Sequence, residues 1–99
     1  MTQSHVIVAY TLEEALGDGV LHLMGWAKGK PLVATNGTMH DLPNEERQGL
    51  FQRFLAWQKD VEPTLPEEDR MFVETASNQQ KVWIIEDGAA ITLLYPVEY

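Results

Sequence analysis

Lys81-Val-Trp-Ile-Ile-Glu-Asp-Gly-Ala-Ala-Ile-Thr-Leu-Leu-Tyr-Pro-Val-Glu-Tyr99 decides the fold. Two runs of β-branched, aliphatic and aromatic residues flank Glu86-Asp87-Gly88. Asp-Gly between such runs signals a β-hairpin with a type I′ turn, because that turn needs positive φ at both central residues. A two-stranded ribbon this apolar does not stand alone in water, so the rest of the chain must pack on it. The ribbon fixes an architecture and names no chemistry.

Working backward, Leu50, Phe51, Phe54, Leu55, Trp57 and Val61 recur at helical spacing. They predict a helix over roughly 42–60 with a broad apolar stripe. Glu45, Glu46, Arg47, Gln52, Arg53, Gln58 and Lys59 lie mostly off that stripe. Asp41-Leu-Pro-Asn-Glu-Glu-Arg47 and Thr64-Leu-Pro-Glu-Glu-Asp-Arg70 echo each other. Each has a capping residue, Leu-Pro, acids and then Arg, which reads as two helix starts of one kind. The cap and the proline favour a second helix after Thr64, although 71–76 also reads as a strand. Burial of the first helix on the hairpin sheet is the expected main stabilising contribution, at roughly 25 cal/mol per Å² of apolar area.

The N-terminal half is shorter-ranged. His5–Tyr10 reads as a buried strand. Thr11 with Glu14 has capping-box spacing ahead of Leu12–Leu16, and Gly17-Asp-Gly19 stops that helix. Val20–Met24 reads as a strand, and Gly25–Lys30 as a loop holding Trp26. Asn36-Gly37 allows a hairpin, or a strand ending in a turn into the long helix. Together these give one α+β domain over 1–99. Its antiparallel or mixed sheet carries the long helix on one face and a C-terminal hairpin contributing central strands.

Composition narrows the function classes. The chain has 99 residues, a formal net charge of −8, seven Lys and Arg together and no cysteine. One core fits that length. Seven scattered cations do not make the basic stripe that duplex DNA requires, so no direct nucleic-acid binding is expected. No apolar run approaches a membrane span and no secretory signal opens the chain, so no membrane partner is expected. The absence of cysteine fits a reducing cytoplasm.

The pattern Lys81-Val-Trp-Ile-Ile-Glu86 followed by Ile91-Thr-Leu-Leu-Tyr-Pro-Val-Glu-Tyr99 resembles the ending of small uncharacterised proteins carried by bacterial phages and mobile elements. In those, a strand and a Leu-Pro-Glu-Glu helix start also precede the hairpin. Ala9-Tyr-Thr-Leu-Glu-Glu-Ala-Leu-Gly-Asp-Gly-Val-Leu21 is similar to the opening of a plasmid-borne family of unknown function. The resemblance implies a mobile-element accessory gene and carries over no functional residue.

Catalytic signals are weak. His5, His22 and His40 have no His three or four residues away, so no local metal pair exists. The acids Glu45/Glu46, Glu67/Glu68/Asp69 and Glu86/Asp87 fall at helix starts and a hairpin tip, which are solvated places that cap and turn. No nucleophile elbow, P-loop or dinucleotide glycine pattern occurs. No catalytic, cofactor-binding or metal-ligating residue is therefore assigned, and no enzyme is expected. Trp57 and Trp83 read as core, helix stripe against hairpin. Trp26 has the best claim to exposure and is the candidate partner contact.

The first functional expectation is a non-enzymatic accessory protein acting through protein–protein contacts. The second is an acidic DNA mimic that inhibits a restriction or other DNA-binding enzyme. The third is a small enzyme or metal-binder using the scattered histidines. Finally, Ala89–Tyr95 holds no charge to guard a sheet edge. Either that run is central, or its edge pairs with another copy, which makes a homodimer through the sheet edge or Trp26 an expectation.

Overall fold

The computed structural model describes residues 11–99. The strand expected over His5–Tyr10 lies outside them. In chain order come helix α1 (Leu12–Gly17), strands β1 (Leu21–Ala27) and β2 (Lys30–Thr35), and helices α2 (Asn36–Asp41) and α3 (Asn44–Asp60). Two single-turn 3-10 helices follow, Glu62–Thr64 and Glu67–Asp69, and then β3 (Phe72–Thr75), β4 (Lys81–Glu86) and β5 (Ile91–Leu94). A 3-10 turn, Pro96–Glu98, comes last.

The chain is a small α+β domain with a mixed sheet ordered β1-β2-β5-β4-β3 among the described residues. β2 and β5 run parallel, and every other neighbouring pair is antiparallel. β5 is therefore central. All four of its residues are buried, which is why the run carries no charge. It leaves no edge of its own, so the expected route to association through this run does not arise.

Each face of the sheet carries a helix. On one face, Leu50, Phe51 and Phe54 of α3 pack on Leu32, Ala34, Val82, Ile84, Ile91 and Leu93. On the other, Ala15 of α1 packs on Leu21, Val33 and Ala90. Thr11 caps α1 with the predicted capping box: its hydroxyl accepts from Glu14 N–H, and Glu14 reaches back to Thr11 N–H.

Several expectations change. The helix expected after Thr64 is a three-residue turn followed by strand β3. Pro63 and Pro66 fix their own φ, and the Thr64 hydroxyl donates to Val61 O instead of capping Glu67. From Phe72 on, burial alternates strand-fashion, Phe72 inside and Val73 outside. α3 begins at Asn44, because Asn36-Gly37 opens a separate helix, α2, and not a hairpin. Arg47 is buried on the stripe, not off it. Its guanidinium donates to Leu42 O and Met39 O, the last carbonyls around α2.

The β4–β5 hairpin forms, but with a four-residue connection and no positive φ at Gly88. The Asp87 carboxylate accepts from Ala89 N–H and Ala90 N–H and shapes the turn by itself. The tight hairpin lies elsewhere. Lys28 and Gly29, expected in a loop, take φ of 57° and 76° between β1 and β2, as a type I′ turn requires. Trp83 faces away from α3 and meets the Tyr99 ring edge-on at 5.7 Å.

Candidate functional site

Two places concentrate chemistry or exposed apolar surface. The first is β1, a strand whose seven residues, Leu-His-Leu-Met-Gly-Trp-Ala, include no Asp, Glu, Lys or Arg. Leu21 pairs with Thr35 and Leu23 with Val33, so both point to the α1 side. Strict alternation would then send Trp26 to the α3 side. A bulge at Met24 intervenes: Leu23 opposes Val33, and Gly25 already opposes Leu32. Gly25 takes φ 151°, a conformation glycine adopts freely, and Gln48 donates its side-chain N–H to Met24 O.

The slip brings Trp26 opposite Pro31, on the same face as Leu23. Trp26 is 66% exposed and Leu23 51% exposed, the two forming one apolar patch at the outer strand. Bulges serve to re-aim side chains in this way. Trp26 is thus exposed, but on a strand and not on the expected loop. Leu23 was missed as its neighbour. The signal available in the sequence was Gly25, a glycine inside an apolar strand pattern, which marks a bulge.

The second place is a cleft of about 390 Å³ where the end of α3 meets β4, with Trp57, Gln58, Arg70, Met71 and Glu86 among its walls. Glu86 was expected at a solvated hairpin tip. Instead it lies in β4 on the α3 side, its side chain 17% exposed. One oxygen accepts from Lys28 Nζ at 2.9 Å and from Gln58, and the other from Lys30 Nζ at 2.6 Å. Burial pushes the Glu86 pKa upward, and the hydrogen bonds from Lys30, Gln58 and Lys28 outweigh it, holding the group down at about 2. Both oxygens are occupied and the group stays ionised. It carries no proton to give, and both of its oxygens already accept hydrogen bonds from Lys28, Gln58 and Lys30, so the network ties the β1–β2 turn to β4 and α3.

The remaining candidates do not converge. His22 Nε2 bonds Asn36 Oδ1, and the exposed His40 Nδ1 bonds Asp41 Oδ1. Among the described residues no three His, Cys, Asp or Glu side chains are grouped to hold a metal. His5 is outside them. Glu46 accepts from Ser77 N–H and Oγ–H, bonds that lower its pKa. Tyr95 O–H donates to Asp41 Oδ2 at 2.9 Å and accepts from Asn78, which ties β5 to α2. Hydrogen bonds from His40 and Tyr95 lower the Asp41 pKa, while burial raises that of Tyr95. Among the described residues no helix is long and apolar enough to cross a membrane. No family model matches the chain, and no curated protein or solved structure is similar to it.

Proposed function

We propose that this chain is a non-enzymatic accessory protein of a mobile genetic element that works in the cytoplasm by contacting another protein through Leu23 and Trp26. The observation that carries the reading is the bulge. It turns a tryptophan that alternation would bury toward solvent, beside a second large apolar side chain. An indole and an isobutyl group held open to water contribute little to folding and can still be buried by a partner, and rigid aromatic anchors of this kind dominate protein interfaces. The C-terminal resemblance supports the mobile-element origin, and the cysteine-free composition supports the compartment. The DNA-mimic reading has less support, because Glu46, Glu74, Glu86 and Glu98 commit their carboxylates to bonds within the chain.

The test is site-specific photo-crosslinking in cells. A benzophenone side chain at position 23 or 26 is expected to give one discrete protein adduct, and the same group at the exposed Gln52 none. Equal adducts at all three positions would remove the reading.

A further inference from the structure

We infer that the occupant of the Leu23–Trp26 face is a second copy of this chain, related by a two-fold axis through the bulge so that Leu23 of each copy meets Trp26 of the other. The inference rests on the protein-contact reading and names its partner. Three observations lead to it.

The first is the contrast between the two outer strands. β3 has four residues, and its Glu74 is held by Arg53. Charges on a short strand are the usual guard against unwanted pairing. β1 has seven residues and no charged side chain. Among the described residues no strand pairs with its outer side.

The second is charge. At a formal net charge of −8, two copies repel over most of their surfaces. A cationic partner would gain by docking on the acidic surface and has no reason to choose a neutral strip. A second copy does, because the strip is where like-charged molecules approach at the smallest electrostatic cost.

The third is symmetry. An isologous contact must be self-complementary. With the axis between Met24 and Gly25, the bulge of one copy faces the bulge of the other, so the extra residue is matched and the register survives. The same axis sets both Leu23–Trp26 pairs on one face of the joined sheets. The side-chain bond from Gln48 to Met24 O leaves that carbonyl satisfied in either state.

Sedimentation of the intact protein from micromolar to about 100 µM provides the test. The expected result is a dimer that tightens as salt is raised from 50 to 500 mM, since salt screens the repulsion and there is no ion pair to weaken. Leu23→Lys and Trp26→Ser, both at exposed positions, are expected to weaken it about tenfold or more while leaving unchanged the thermal melt taken at dilutions where the protein is monomeric. The chain has no cysteine of its own. A mixture of Leu23→Cys and Trp26→Cys variants should therefore form the mixed disulfide in preference to either symmetric one.

A monomer throughout overturns the inference, as does a dimer indifferent to both substitutions or a preference for symmetric disulfides. A monomer whose positions 23 and 26 still cross-link to a different protein separates this failure from failure of the protein-contact reading.

Discussion

Glu98 and Thr35 stand 63 positions apart in the chain, and their side chains meet at 2.6 Å. The same carboxylate accepts from Tyr95 N–H at 2.8 Å and from Gly37 N–H at 3.2 Å. Thr35 occupies the N-cap position of α2 but makes no side-chain cap of its own. One free N–H of the helix, that of Gly37, is satisfied by an acid from a segment distant in sequence. Glu98→Ala is expected to destabilise by about 1–3 kcal/mol, the cost of stranding several partly buried donors, with Glu98→Gln closer to neutral. Urea melts of the two variants check this.

Gly37→Ala is expected to lose about 1–3 kcal/mol for a steric reason. A Cβ there would lie 2.8 Å from Glu98 Oε2 and 3.0 Å from Tyr95 Cδ2. With Glu98→Ala already in place, the added loss should shrink, a coupling that a double-mutant cycle measures. Strict additivity would mean that the clash is relieved elsewhere.

Acid should unfold the protein partly through Glu86. Its folded pKa of about 2 lies below the unfolded value of 4.5, so its contribution is present above pH 4.5 and is lost as pH falls toward 2. The contribution is on the order of 1–3 kcal/mol after allowance for solvent screening. Asp41 and Glu46 are shifted the same way and add to the loss in the acid range. Denaturant melts across pH 2–7 should show the fall, and Glu86→Gln should flatten it while lowering stability at pH 7.

Turn substitutions should follow φ and not dipeptide rules. Gly29→Ala, at φ 76°, should cost about 1 kcal/mol, and Gln79→Gly, at φ 73°, should gain a similar amount. Gly88→Ala should be close to neutral, since an added Cβ meets nothing within 4 Å and φ is not positive. Thermal melts rank the three, and a large loss at Gly88 would contradict the hairpin geometry.

In the core, Phe51→Ala should cost about 3–5 kcal/mol, because the ring is 1% exposed. Trp57 packs edge-on against Phe72 at 5.6 Å but lines the open cleft, so Trp57→Ala should cost less, roughly 2 kcal/mol. Equal losses would mean that the cleft closes over the indole in solution.

The long helix, the first capping box and the C-terminal hairpin were legible because each is written in neighbouring residues: Leu50, Phe51 and Phe54, Thr11 with Glu14, and the two apolar runs around Asp87. Turn type was not, because Asp87 could shape its loop by side-chain bonds, while Lys28 was driven to positive φ by the strands it joins. Thr64 looked like a cap, yet two prolines and the pairing of Phe72 with Ile84 settled that segment as turn and strand. The face of Trp26 was hidden for a similar reason. One extra residue at Met24 inverts the parity of all that follows, and only the pairing with β2 reveals where it sits.

The central position of β5 has a consequence for how the protein is made. The β1–β2 and β3–β4 hairpins leave the ribosome first, each with a bare inner edge, and neither can pair with the other. The strand that joins them is synthesised after both, and its parallel partner β2 lies more than fifty residues upstream. Until Leu94 has cleared the exit tunnel the nascent chain is two sticky halves without a middle, so a stalled or prematurely ended copy is a substrate for chaperones and proteases rather than a smaller version of the protein.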